Sequence, residues 1–526
     1  MKTFAFSLNH RDQRRALRSW GWLAVALTSC SGASVSNGGP GPTAGGASGR
    51  GGSGASTAGT EPLGGEAGTG GEVGVAGDTG RGGEGGIAGP DPGLTDVTKL
   101  TPAKCSITAK VTPASDMGMV GVATFKTDLE DADRAIIQFG KTTSYTLEAP
   151  VNWDATNHET WLLGMPASTT VHYRVIVLRG TTACIGDDAS YETGDAPRGS
   201  PGKQSPQKGP SSAAVAPGFI IAVNGYFAYI VNVEGEVVWA HEFPVILSRA
   251  LMSWDGMYMY VRDPGVFNAG TGGAIYRVAM DGSGETPLEV PGGSHHDLVA
   301  IPTGFAYLAK QAKGECDWIY TARPDGSNAE PLVNLDVVFS HFMLGPSAQS
   351  FDACHVNAIR YYKDTDSYSV SERELDVIAF ISGQGELLGS VGATPTSSTP
   401  NHVKAEGADS LPYSIWRVQH GHDLYEPNKL VLWSNGYFTG GRSYVLHYTL
   451  NGATATLDWQ YTGAGNAPTY SDAQHLPNGN FLVTNSQSGA VHEIDAHAVR
   501  VQSFESLTKA GYSCHRTTLY GLPPGR

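Results

Sequence analysis

The sequence predicts an all-β protein, a small β-sandwich followed by a six-bladed β-propeller, and three observations carry that expectation. Short β-type runs separated by turn residues fill the chain from residue 104 onward. Glycine-containing turn dipeptides recur through the last 310 residues, and no amphipathic helix of ordinary length interrupts them. The length, 526 residues, exceeds what one ordinary domain needs, so at least two folded units are expected. The net charge of −15 argues against a nucleic-acid partner, because a phosphate backbone would be repelled at long range.

At the N-terminus, Lys2, Arg11, Arg14, Arg15 and Arg18 precede a short apolar run from Trp20 to Thr28. The run is too short to span a bilayer and reads as an export signal. Its end, Leu27-Thr28-Ser29-Cys30, resembles the bacterial lipoprotein signal box. That resemblance implies removal of residues 1–29, a lipid anchor on Cys30 and, with Ser31 next in line, sorting to the outer membrane. Residues 30–97 read as a flexible tether, since 25 of the 64 residues from Ser31 to Leu94 are glycine and large apolar side chains are almost missing. Such a composition cannot offset its chain entropy by burial.

Residues 98–196 contain alternating runs such as Arg134-Ala-Ile-Ile-Gln-Phe139 and Thr170-Val-His-Tyr-Arg-Val-Ile-Val-Leu178. Alternation at this spacing predicts a small antiparallel sandwich, and the stretch from His158 to Val175 resembles a fibronectin type III strand pair. Cys105 and Cys184, near opposite ends of this region, are expected to bridge in the oxidising setting that export implies. A polar linker, 197–216, follows.

From residue 217 to the end, turn pairs punctuate the β-type runs at Glu234-Gly235, Asp255-Gly256, Asp281-Gly282, Asp325-Gly326, Gln384-Gly385, Asn451-Gly452 and Asn478-Gly479. Hairpins repeating at about 40–50 residues predict a propeller, and the length suits six blades. Thirteen of the sixteen histidines lie at or after His241. Three segments share a shape: His295-His-Asp-Leu-Val-Ala-Ile-Pro302, Gly421-His-Asp-Leu-Tyr-Glu-Pro427 and Ser471-Asp-Ala-Gln-His-Leu-Pro-Asn-Gly-Asn480. Equivalent positions in successive blades face one channel, so His296 and His422 are expected to converge there, with His355 between them. Asp297 and Asp423 are expected to orient their blades through backbone hydrogen bonds. His341, His402, His447, His475, His492 and His497 read as ordinary surface or hydrogen-bonded residues.

An ordered set of motifs across residues 98–526 resembles the bacterial arylsulfate sulfotransferases. The set comprises His295-His296-Asp297, His355-x-Asn357, Arg373, Gln419-His420 with Ser434-Asn435-Gly436, Ser471-Asp472 with Leu476-Pro-Asn-Gly-Asn480, and His515-Arg516. Ser434 departs from the aspartate usual before that Asn-Gly pair. The resemblance implies an exported propeller that moves a sulfuryl group from an aryl sulfate donor to a phenolic acceptor, with no cofactor and no nucleotide donor. It further implies a sulfohistidine intermediate and an oxyanion-stabilising set of His296, His355, Asn357 and Arg373. The internal repeat makes His422 the nucleophile, whereas the Gln-His match makes it His420; His422 is taken first. Two other readings stand beside this one: a ligand- or partner-binding surface propeller without catalysis, and a histidine-bound metal site. No His-Glu-x-x-His pair occurs, and His420-Gly-His422 is the nearest candidate ligand pair, as i and i+2 share a strand face. Among Cys316, Cys354 and Cys514 one disulfide at most can form, Cys354–Cys514 or Cys316–Cys354.

Overall fold

A computed structural model describes residues 93–153, 158–265, 272–311, 315–342, 354–393, 395–405, 416–426, 428–436, 442–509 and 511–521. The export signal, Cys30 and the tether up to residue 92 lie outside the described residues. The architecture is all-β, a sandwich followed by a propeller, and the only described α-helix is the five-residue Leu335–Phe339. No helix among the described residues is long and apolar enough to cross a membrane.

The sandwich pairs a six-stranded sheet, built around Arg134–Gly140 and Thr170–Arg179, with a three-stranded sheet of Ile107–Pro113, Gly121–Thr127 and Glu159–Leu162. Alternation along these strands turns Val111, Phe125, Ile137, Phe139, Val171 and Val175 inward between the sheets. Cys105 and Cys184 form a disulfide, with Cα atoms 5.9 Å apart. The chain is tied to the sandwich slightly before its first strand. Thr95 donates its backbone N–H and its hydroxyl to Glu148, at 2.8 and 3.0 Å, inside the stretch read as tether.

Six blades follow among the described residues. Blade one is Phe219–Asn224, Phe227–Asn232 and Val237–Glu242, completed on its inner side by the C-terminal strand Cys514–Arg516. Blades two to five open with inner strands Arg249–Met252, Ser294–Ile301, Val356–Tyr362 and Gln419–Tyr425. Blade six runs from Asp472–His475 out to Arg500–Phe504, where Gln207–Lys208 adds a fifth strand. The strand Cys514–Arg516, which follows blade six and pairs with blade one, thus closes the ring. The segment read as a linker is stitched to the propeller, because a two-residue edge pairing leaves no periodicity to detect. His402–Ala405 runs parallel to the outer strands of blades four and five and merges them into one nine-stranded sheet.

All seven turn glycines of the dipeptides have positive φ, from 58° to 87°, the region where a side chain is costly. Strands near the axis are buried on both faces, as in Ser294–Ile301 and Gly304–Ala309. The sandwich packs on blade one, and Tyr520 locks the two together by donating to Trp161 O at 3.0 Å and accepting from Leu163 N at 2.7 Å.

Buried ions hold the inner strands in register. Arg249 Nε lies 2.9 Å from Asp297 Oδ1, Arg360 Nη1 lies 3.0 Å from Asp297 Oδ2, and Arg360 Nη2 lies 2.6 Å from Asp472 Oδ1. The network joins blades two, three, four and six. Asp297 Oδ2 also accepts Ile359 N of the next blade at 3.2 Å, and Asp423 Oδ2 accepts His475 N of the next blade at 3.0 Å. Removing one partner of such a buried pair strands the other, which costs about 3–5 kcal/mol. Arg360→Met is therefore expected to lower the unfolding free energy by about that amount, read as a drop in the urea midpoint. An unchanged midpoint would show that the network is not bracing the ring.

Candidate functional site

One end of the inner strands carries the histidines. The first residues of the inner strands in blades three, four and five depart from regular pairing at the same place. The ladder shifts register between Ser294 and Leu298, between Val356 and Ala358, and between Gln419 and His422. Bulges of this kind re-aim side chains that alternation would send elsewhere. In blade three the distortion also places His296 at φ +59°, and Arg262 braces it by donating to His296 O and Ser294 O at 2.9 and 3.1 Å.

The result is a buried imidazole cluster. His295 Nδ1 lies 2.7 Å from Asp317 Oδ2, His296 Nδ1 lies 2.9 Å from His295 Nε2, and His355 Nε2 lies 3.2 Å from His296 Nε2. Because the carboxylate can only accept, one set of neutral tautomers satisfies the chain: Nδ1–H on His295 and His296, Nε2–H on His355. His420 joins this group, its ring 5.9 Å from that of His296. Its Nδ1 lies 2.5 Å from Asn435 Oδ1, and Asn435 Nδ2 in turn donates to Tyr470 O at 3.2 Å. Tyr470 and Ser471 both have positive φ, 52° and 80°, and this bend brings the Tyr470 ring to 5.3 Å from His296 and 6.1 Å from His420.

Burial, then the Arg373 guanidinium, push the His420 imidazole down to about 3. Burial, then the neighbouring His295, His355 and His420, hold His296 well below the usual histidine range. Both rings are neutral at ordinary pH, so each keeps one unprotonated nitrogen. Glu372 underlies the cluster: its Oε1 accepts His355 N at 2.7 Å, and burial raises its carboxyl to about 8.

His296, His355 and His420 come together; His422 does not. The expectation that His422 faces the axis is corrected by the structure. Its Nε2 sits 2.7 Å from Ser369 Oγ, buried against the second strand of blade four. The repeat preserves the aspartates, Asp297 and Asp423, but the bulge ahead of Asp297 holds one more extra residue than the bulge ahead of Asp423. The axial ring therefore lies one residue before Asp297 and three before Asp423. For the same reason His420 and His422 do not share a face, and the pair is no chelate.

Arg373 is paired with Glu374 and donates its backbone N–H to His355 O at 3.1 Å. Asn357 acts as a strap, its Nδ2 donating to Gln419 O at 2.7 Å from the neighbouring blade. His515 lies apart, its Nε2 3.0 Å from Pro217 O. Cys316 and Cys354 form the second disulfide, and Cys514 belongs to neither bridge.

Residue-level reading missed His295 and Asn435 as site members although both stand inside motifs it singled out. Nothing in the sequence marked Tyr470 or Asp317. The His295–His296–His355 group could hold a metal ion, since one ligand atom from each lies within 4.8 Å of the others.

Gly421, between the two histidines of its strand, has no room for a side chain. A Cβ there would fall 1.8 Å from Asp472 Oδ1 and 2.7 Å from Asp472 Cα. Gly421→Ala is expected to cost about 1–3 kcal/mol through overpacking, seen as a lower melting temperature. A variant as stable as the parent would mean the two strands separate freely.

No protein-family model matches the chain, and no curated protein matches it. Among solved structures it is similar to a candidate 6-phosphogluconolactonase from Bacteroides uniformis, at 12% identity and TM-score 0.33, over 55% of this chain and 83% of that one. It is also similar to AztD from Citrobacter koseri: to the apo form at 11% identity and TM-score 0.27, over 57% of this chain and 99% of that one. A further AztD structure gives 10% identity and TM-score 0.26, over 78% and 98%.

Proposed function

We propose that this chain transfers a sulfuryl group from an aryl sulfate to a phenolic acceptor through a sulfohistidine at His420. One observation carries the reading. The Nδ1 of His420 is engaged by an oxygen that only accepts, Asn435 Oδ1, which leaves Nε2 as the nitrogen with the lone pair. That ring lies beside His296 and within the field of Arg373.

In the first half-reaction Nε2 attacks sulfur, an N–S bond forms, and the S–O(aryl) bond breaks with its electron pair leaving on the phenolate, which takes up a proton. In the second, the acceptor phenol oxygen attacks sulfur, the N–S pair returns to Nε2, and the acceptor's proton is released. One proton is taken up and one given back, so the cycle needs no cofactor. Covalent catalysis of this kind splits one hard transfer into two easier ones. His296, His355 and Arg373 are the set that would face the sulfuryl oxygens, whose charge rises in flight; the two imidazole N–H groups leave their partner rings to do so. Asn357, engaged by Gln419 O, positions the strand of His420. The Tyr470 ring offers an aromatic face to the aryl group.

The reading includes export and a lipid anchor at Cys30 on the outer membrane. Two disulfides fit such an oxidising compartment. The deciding experiment incubates the full chain with a chromogenic aryl sulfate, with and without a phenol, and analyses acid-sparing digests by mass spectrometry. Acceptor-dependent phenol release and a sulfated peptide containing His420 are expected. Absence of both, in folded protein, ends the transferase reading.

A further inference from the structure

We infer that His295, His296 and His355 form a binding site for one first-row transition cation of the zinc class. The donor set is imidazole only, which suits zinc, copper or nickel and disfavours magnesium and calcium, whose ligands are oxygens. Spacing fits as well. One imidazole nitrogen from each of the three residues lies within 4.8 Å of the others, a span that small ring rotations bring to the bonds of about 2.0–2.1 Å in a zinc site. The three rings meet edge to face, with centroids 4.3, 4.6 and 5.2 Å apart, so no other side chain separates them.

A second, independent observation is the support around the ligands. Asp317 Oδ2 accepts from His295 Nδ1 at 2.7 Å, which turns the Nε2 lone pair of His295 into the cluster. A carboxylate behind a ligand histidine is the arrangement that fixes tautomer and ring orientation in zinc sites. Asp317 is itself fully buried and held by Lys310 Nζ at 3.4 Å. Backbone anchors complete the cage: Arg262 holds the carbonyl of His296, and Glu372 holds the N–H of His355. His295 and His296 stand on an inner strand and His355 immediately precedes the next one, its backbone held at both ends, so little ordering is left for the ion to impose.

The inference goes beyond sulfuryl transfer. It shares His296 and His355 with that reading, yet the cation is titrated with no ester present, so either can fail alone. The test uses the full chain stripped with chelator, titrated with zinc chloride by calorimetry and with cobalt(II) by visible absorption. One equivalent of zinc per chain and the d–d band of tetrahedral cobalt are expected in the unaltered protein. His295→Gln and His355→Gln are each expected to weaken zinc binding roughly 100-fold or more, and Asp317→Asn by roughly 10–100-fold. His447→Gln, at another buried histidine paired to a carboxylate, leaves binding unchanged. No saturable equivalent of zinc, or no tetrahedral cobalt band, overturns the inference without reference to any variant. So does equal loss with His447→Gln, which would mark a nonspecific effect of folding.

Discussion

His420→Asn is expected to lower phenol release from an aryl sulfate by roughly 1,000-fold or more, while His422→Asn keeps the chemistry and loses stability. Asparagine retains a donor that can reach Asn435 Oδ1 but has nothing where Nε2 stood. The side chain is thus anchored as before and only the nucleophile is missing. Arg373, His296 and His355 remain, so weak binding of the ester should survive and the loss should fall on kcat. His422 has the opposite profile. Its Nε2 meets Ser369 Oγ in a fully buried seam, and its replacement breaks a hydrogen bond between blades four and five. A cost of about 1–3 kcal/mol follows from leaving a buried polar group without its partner. Steady-state rates with a chromogenic ester, beside urea midpoints for both variants, separate the two residues. If His422→Asn silences the folded protein and His420→Asn does not, the nucleophile has been misassigned.

Acid is expected to unfold this protein well before the carboxylates finish titrating. Burial drives His447, His475, His492 and His515 down to about 4 and His420 to about 3, and it also lowers His296, His402 and His422. The folded chain keeps these rings neutral, whereas the unfolded chain protonates them near 6.5. Their stabilisation is complete above about pH 6.5 and disappears as pH falls toward the folded values, at about 1.4 kcal/mol per unit for each ring.

Carboxyl groups raised by burial act in the opposite sense. Glu372 sits at about 8 and Asp376 at about 6, with Asp472 and Glu493 also raised. Their contribution is complete below the unfolded carboxyl values and is lost as pH rises through the folded ones, so acidification favours the native state at these four. Eight rings outweigh four carboxyls between pH 6.5 and 4.5. Against a total stability of about 5–15 kcal/mol, a net slope of up to about 5 kcal/mol per unit places the acid midpoint within roughly one to three units below 6.5. Tryptophan fluorescence and far-ultraviolet circular dichroism followed from pH 7 to 3 report it. Native signals persisting at pH 3 would show that water reaches these rings.

Much of the fold was legible because hairpin chemistry is local. Asp-Gly and Asn-Gly pairs demand positive φ wherever they occur, and the strands between them need only apolar side chains of the right length. The Cys105–Cys184 bridge was readable for a similar reason, since only one pair falls in that region. Stitching of 207–208 onto blade six and the strand His402–Ala405 left no trace, because pairings of two to four residues with edge partners far away carry no periodic signal.

The chain by itself determined an all-β sandwich and propeller, the enrichment of histidine in the propeller, and the motifs that hold His296, His355 and His420. Tertiary structure alone decided which rings meet. Alternation along a strand assigns faces only while pairing stays regular, and each of the three histidine-bearing inner strands carries extra residues at its start. A bulge of one residue exchanges the two faces, and a bulge of two restores them. Blade three and blade five differ by that one residue, so His420 reaches the axis and His422 turns into the seam. Bulge size is set by how neighbouring blades pack at the axis, through groups such as Arg262, Asp472 and Tyr470 that stand far from the histidines in the sequence.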